Sequence, residues 1–128
     1  MSALSDYAET LIANFIANTQ TATRPTAWHL AIFTAAPSDA GGGTELSGNG
    51  YARQAITFGA ASSGVTSNTS THTFTASGGN WGACTHFGIF DASSAGNLLW
   101  HGALTASRTI NDGESLTVAA AAFTLTLA

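Results

Sequence analysis

The sequence predicts a mainly β protein, an antiparallel sandwich or barrel of about seven short strands with one N-terminal amphipathic helix. Apolar residues recur with a helical period near the start, and the period changes to two from Ala27 onward. Stretches rich in Gly, Ser, Asn and Asp separate the alternating segments at regular spacing. Charged residues make up only 8% of the chain, and Ser, Thr and Asn supply most of its polarity, as is typical of threonine-rich strands.

The N-terminal segment carries an apolar stripe of helical spacing. It comprises Leu4, Ala8, Leu11, Ile12, Phe15 and Ile16. Asp6, followed three positions later by Glu9, fits a capping box at the start of this helix. The stripe requires a partner surface, which is either the protein's own β domain or a neighbouring subunit.

The β region begins with a strand at 28–33, whose two faces are both mostly apolar, so we expect it to be covered on both sides. A glycine-rich loop follows over 34–50, with three consecutive glycines at Gly41, Gly42 and Gly43. Loops of this length in small domains are usually functional or disordered. We therefore expect this loop to be mobile in the free protein and to adapt to a partner.

Further strands are predicted at 51–58, 70–75, 84–90, 98–104, 115–121 and 123–127. In the first of them, alternation places Ala52 and Ile56 inward and Tyr51 and Arg53 outward.

Two turns organise the C-terminal half of the chain. Segments 84–90 and 98–104 are expected to form a hairpin, in which Gly88 leaves room for an aromatic neighbour. The strongest turn signal is Asn-Asp-Gly at 111–113. The last strand is expected to be tied into a sheet.

Motifs for catalysis are absent from the sequence: it has no nucleophile elbow, phosphate-binding loop or dinucleotide fingerprint. The four histidines are isolated, and the seven acids lie mostly in turn or cap contexts. His86 and His101 could be cross-strand neighbours, which would allow a metal site with Asp91. An alternative to the metal site is a catalytic pair on one strand face, with Cys84 as the nucleophile and His86 as its base. We expect no catalytic residue, no metal and no cofactor, and a small hydrolase or metal-binding domain is kept as an alternative.

Composition and charge restrict the partners. The chain has 128 residues, a net charge of −4, three arginines and no lysine. These few cations cannot form the basic face that nucleic acid or an anionic membrane requires. No apolar run approaches the roughly 20 residues of a membrane span, and no signal peptide is recognised. We expect no nucleic acid and no membrane as partners.

The same composition predicts a domain that associates with other chains. The length fits one domain, 1–128, with a helix over 1–20 and a β domain over 27–128. The single cysteine has no partner for an internal disulfide. Because few charges protect its surface against association, we expect a homo-oligomer or a component of an assembly.

Four stretches resemble a family of small tailed-bacteriophage virion proteins, whose members are often labelled tail fibre protein. They are the N-terminal helix, WHLAIFTAAPSDAGGGTELSGNGYARQAITF, WGACTHFGIFDASSAGNLLWHGAL and NDGESLTVAAAAFTLTLA. Proteins of this size and type also serve as head decoration or cement proteins. The resemblance implies a non-enzymatic virion structural protein that is made in the bacterial host cytoplasm.

The expected function is a capsid cement or decoration protein on the capsid exterior, which binds the phage major capsid protein and copies of itself. A receptor-binding fibre generally needs a shaft of repeats or a coiled coil, and this chain has neither. The alternative is a tail or tail-fibre component that binds other tail proteins. The expected partner-contact residues lie in the helix, the glycine loop and the strand after it: Leu4, Leu11, Phe15, Gly41, Gly42, Gly43, Glu45, Tyr51 and Arg53.

Overall fold

A computed structural model describes residues 2–127; Met1 and Ala128, the ends of the expected domain, lie outside the described residues. Within 2–127 there are one helix and ten strands. They are β1 (Ser2–Leu4), α1 (Asp6–Ala17), β2 (His29–Ala35), β3 (Thr44–Glu45), β4 (Gln54–Ala55), β5 (Val65–Ser67), β6 (His72–Thr75), β7 (Gly82–Phe90), β8 (Leu98–Ile110), β9 (Ser115–Val118) and β10 (Thr124–Thr126). The strand pairs are antiparallel, which confirms the predicted fold class.

The largest sheet is open, so a closed barrel is not formed. Its order is β1-β8-β7-β2-β3, and β4 pairs with a second part of β2. Its centre is the predicted β7–β8 hairpin, in which Ile89 lies opposite Trp100. β8 extends beyond the predicted end at residue 104. A bulge interrupts its pairing with β7 between Ala103 and Arg108, and the two strands pair again from Arg108 to Ile110.

The core lies between one face of this sheet and two small ladders, β6–β9 and β5–β10. The residues buried in it include Leu30, Ile32, Phe87, Ile89 and Trp100 from the sheet and Phe74, Leu116, Val118 and Phe123 from the other layer. The rings of Phe87 and Phe123 stack across the layers at a centroid distance of 4.0 Å. This two-layer arrangement corresponds to the sandwich alternative of the prediction.

Gly88 lies on the opposite face of the sheet and has the role predicted for it. A Cβ at this position would lie 2.9 Å from Cε1 of Phe33 and 3.0 Å from Cδ1 of Leu98. The Phe33 ring in turn stacks on Phe90 at 6.2 Å. The absence of a side chain at Gly88 therefore lets these apolar groups close over the middle of the sheet.

The N-terminus differs from the predicted helix over 1–20. Residues 2–4 form an edge strand, because Leu4 pairs with Trp100. The helix begins at Asp6, and Ser5 is its N-cap in place of the predicted Asp6. The Ser5 hydroxyl accepts a hydrogen bond from the Ala8 amide at 3.1 Å and donates one to the carbonyl of Leu98. The capping-box assignment was therefore wrong by one position.

The loop predicted over 34–50 is more regular than expected. β2 extends to Ala35, β3 pairs with it, and Leu46 is buried in the core. Ser38 and Gly41 exchange backbone hydrogen bonds of 2.9 and 2.8 Å in a tight turn. The glycines at 41–43 all have positive φ, a conformation that glycine adopts without strain.

The strand predicted over 51–58 is reduced to β4, and the expected orientation was wrong at three positions. Ala52 is exposed, whereas Tyr51 packs against the core and the Arg53 side chain is only 8% exposed. Ile56 is buried as predicted. The alternation rule fails here because only Gln54 and Ala55 pair with β2.

The Asn-Asp-Gly turn at 111–113 lies between β8 and β9 as predicted, and Gly113 has a φ of 84°. It connects two layers rather than two neighbouring strands, because β9 pairs with β6 and not with β8. The carboxylate of Asp112 accepts a hydrogen bond from the Gly78 amide at 2.9 Å.

Candidate interaction surface

Three of the predicted contact residues, Glu45, Tyr51 and Arg53, form a single polar cluster. The Arg53 guanidinium binds both carboxylate oxygens of Glu45, with Nε–Oε2 and Nη2–Oε1 distances of 2.8 Å. Its Nη1 donates to the carbonyls of Ala92 and Ala95 at 3.0 and 2.8 Å. Two parallel charge-assisted bonds are the strongest form of this ion pair. The cluster therefore ties β3 to the tip of the β7–β8 hairpin.

Tyr51 completes the cluster from the core side. Its hydroxyl donates to Glu45 at 2.7 Å and accepts from the Ile32 amide at 3.1 Å. Burial raises the pKa of the Tyr51 hydroxyl, and the hydrogen bond to Glu45 raises it further. The bond to Glu45 likewise raises the pKa of Arg53. Both shifts favour the neutral tyrosine and the charged arginine, which are the forms that make the observed hydrogen bonds to Glu45.

The glycine turn forms one wall of a groove of about 600 Å³. The groove lies between this turn, the start of α1 and the hairpin tip, and its other lining residues include Tyr7, Phe33, Phe90 and Asn97. Asp39 fixes the turn, because its backbone carbonyl accepts from the Asp6 amide at 2.9 Å and its carboxylate lies 3.0 Å from Nε2 of His101. Gly42 and Gly43 are exposed and Gly41 is half-buried, and the contact of these three glycines with a partner stays a prediction.

The helix buries only part of its apolar stripe. Ala8 is buried, and Leu4, now in β1, is half-buried together with Leu11 and Ile12. Phe15 and Ile16 are 78% and 75% exposed, the largest values among the large apolar side chains in residues 2–127. The second half of α1 therefore presents an apolar surface to the outside. In the described part of the chain, no helix is long and apolar enough to cross a membrane.

Ile16 was not among the predicted contact residues, although a signal for it is present. Adjacent helical residues lie about 100° apart around the axis, so Phe15 and Ile16 together widen the apolar stripe beyond one face. A wide stripe at the end of a helix indicates that the domain surface alone cannot cover it.

His72, His86 and His101 each lie beside a polar side chain, whereas Nδ1 of His29 is buried without a hydrogen-bond partner within residues 2–127. Nδ1 of His86 lies 2.8 Å from the Thr85 hydroxyl, and His101 lies beside Asp39. His86 pairs with Ala103 and His101 with Gly88, so the two imidazoles are diagonal neighbours rather than directly opposed. Within residues 2–127, no group of three His, Cys, Asp or Glu side chains could hold a metal ion.

Cys84 does not share a face with His86. The pairing irregularity between them turns the thiol into the core, where it is fully buried. Burial raises the pKa of the Cys84 thiol, which disfavours the thiolate that a nucleophile requires.

Replacing both His86 and His101 with glutamine is expected to leave assembly intact and to lower the free energy of unfolding by about 1–3 kcal/mol. Glutamine can keep one hydrogen bond at each site, including one to Asp39, but it cannot form the ion pair that an imidazolium at position 101 forms with this carboxylate. Urea unfolding measures the loss, and elemental analysis of the wild type is expected to find no stoichiometric zinc, iron or nickel. One metal ion per subunit, lost in the double variant, would contradict a purely structural role.

Comparison with known proteins identifies one family model. The model described as podophage GP4 fiber I protein gp80 matches residues 3–126. No curated protein matches the chain. The match begins within β1 and includes α1 and the strands β2 to β10, so it covers both the helix and the groove beside the glycine turn.

Proposed function

The chain belongs to the family of the podophage GP4 fiber I protein gp80 and is a structural component of the phage virion; from this premise we propose that it is a non-enzymatic tail-fibre protein. The family description supports the tail-fibre alternative of the sequence prediction better than capsid cement. Its partners are then copies of itself and other tail proteins.

We further propose that the second half of α1 is the surface through which the protein assembles. The supporting observation is the exposure of Phe15 and Ile16, since adjacent large apolar groups are costly to leave in water. No charged residue occurs between Thr10 and Thr23, so like charges would not repel two copies of this segment. We therefore propose a second copy of this chain as the partner.

The test replaces Phe15 and Ile16 with serine in the full chain. We expect the wild type to form an oligomer in light scattering and the double variant to be a monomer. Because both side chains are mostly exposed, the stability of the folded monomer is expected to change by no more than about 0.5 kcal/mol. In phage that lack the wild-type gene, the variant is expected to be depleted from particles.

The matched control replaces Ala13 and Ala17 with serine, since both are exposed positions of the same helix with small side chains. This variant is expected to assemble like the wild type. A monomeric wild type, together with normal incorporation of the Phe15 and Ile16 variant into particles, would overturn the proposal.

A further inference from the structure

A second, smaller groove is separate from the helix and from the Glu45–Arg53 cluster. Its volume is about 280 Å³, and the side chains that define it are Trp28, Phe58, Trp100, Leu125, Thr66 and Arg24. Trp28, Phe58 and Leu125 are each half-buried, so the walls are apolar and open to solvent on one side. The volume lies near the lower end of the range of small-molecule sites.

Arg24 provides a free cation at this groove. Of the chain's three arginines, Arg53 is held by Glu45, whereas Arg24 is exposed and has no ion pair or hydrogen bond within residues 2–127. The hydroxyl of Thr66 is already used, because it donates to the Gly59 carbonyl at 2.6 Å. The guanidinium is therefore the charged group at this site that can bind a ligand.

Trp100 supplies an independent observation that also points to a ligand. This residue is only 5% exposed, and its indole N–H is buried without a hydrogen-bond partner in the described structure. Its ring packs edge-on against Phe58 at 4.8 Å. A buried donor without an acceptor is unfavourable, and because Trp100 lines the groove, a ligand oxygen bound there is the acceptor that we assign to it.

We propose that this groove binds a small organic carboxylate whose ring has an apolar face, of the size of a sugar acid. The guanidinium of Arg24 matches a carboxylate through two parallel hydrogen bonds. The aromatic walls receive the C–H face of the ring, and the indole N–H of Trp100 can donate to a ring substituent. The inference goes beyond the proposed assembly function and uses different residues.

The test titrates the full chain with D-glucuronate, D-glucose and acetate while the indole N–H signals are followed by NMR. The chain has three tryptophans, and Trp81 is an internal reference because its N–H already donates to the Asn49 carbonyl. We expect saturable millimolar binding of glucuronate that shifts Trp28 and Trp100 but not Trp81. Glucose, which lacks the carboxylate, and acetate, which lacks the ring, are each expected to bind at least about tenfold more weakly.

Two variants of equal charge test the role of Arg24. Arg24→Gln is expected to weaken glucuronate binding by about tenfold, whereas Arg108→Gln, at another exposed arginine, should leave it unchanged. Equal binding of acetate would mean an adventitious ion only, and equal binding of glucose or an unaffected Arg24→Gln variant would overturn the carboxylate assignment. No saturable shift of Trp100 with glucuronate would overturn the site.

Discussion

Replacing Arg53 with methionine is expected to lower the free energy of unfolding by about 3 kcal/mol, because the partly buried carboxylate of Glu45 keeps only the hydrogen bond from Tyr51 and loses its cation. Methionine keeps the apolar stem that packs near Phe90, over whose ring the guanidinium carbon lies at 3.7 Å. The lost groups are those that bind Glu45 and the carbonyls of Ala92 and Ala95. Urea unfolding measures the effect.

Two further variants show whether the loss comes from the unpaired charge. Replacing Glu45 with leucine in the Arg53→Met background should recover part of the stability, since removing both members of a buried pair costs less than removing one. Arg108→Met, at an exposed arginine, is expected to change stability by less than about 0.5 kcal/mol. Equal stability of Arg53→Met and the wild type would mean that the cluster does not stabilise the fold.

Replacing Asn68 with alanine is expected to destabilise the protein by about 2–4 kcal/mol. This side chain is 2% exposed, and its amide group makes three hydrogen bonds. Nδ2 donates to the carbonyls of Ser70 and Ala119 at 3.1 and 3.0 Å, and Oδ1 accepts from the Phe123 amide at 2.9 Å. Alanine removes all three bonds and leaves the amide of the buried Phe123 without its acceptor, whereas the Ala119 carbonyl keeps a bond from the Ala122 amide at 3.2 Å.

The loss of stability in Asn68→Ala should be largest in the segments whose backbone the Asn68 side chain binds. Hydrogen exchange is expected to accelerate most in β10 and in the segment 119–123 that leads to it, because two of the three bonds end there. The matched control is Asn18→Ala at the exposed end of α1, with an expected loss of about 0.5 kcal/mol. Similar losses for the two variants would contradict a special role for Asn68.

The elements that the sequence predicted well are those whose signal is local. Phe87 and Ile89 alternate with His86 and Gly88 over several positions, so the strand and the faces of its residues could be read from the pattern. The hairpin followed from its turn residues in the same way. Gly88 was assigned correctly because a glycine within a buried strand indicates a close neighbour.

The elements that were missed depend on distant partners. β1 has only three residues and no period of its own, and it is extended because Leu4 finds Trp100 at the edge of the sheet. Asn68 resembles any other turn asparagine in the sequence, and its importance arises from Ala119 and Phe123, which are distant in the chain. Local patterns carry no information on such contacts.

The predicted contact residues also show this difference between local sequence patterns and contacts with distant residues. Strand alternation placed Arg53 on the outside, but the acid eight positions earlier, Glu45, binds its guanidinium and allows the side chain to be buried. Leu11 and Phe15 were predicted as contact residues from the helical period of the apolar residues. This period identifies an apolar stripe, but it does not show which surface covers the stripe. The structure leaves Phe15 uncovered, so its contact with a partner stays a prediction that the serine variants test.

The pairing of β1 with β8 also determines when the N-terminus can fold during synthesis. Ser2 lies opposite Gly102, so the first strand has no partner until about 100 further residues have left the ribosome. At typical elongation rates this takes about 5–20 s. During that time α1 has neither its sheet edge nor its N-cap contact with Leu98, and its apolar stripe is available to chaperones. Nascent chains stalled before residue 98 are therefore expected to bind chaperones through the α1 segment. Full-length chains released from the ribosome are expected not to bind them there.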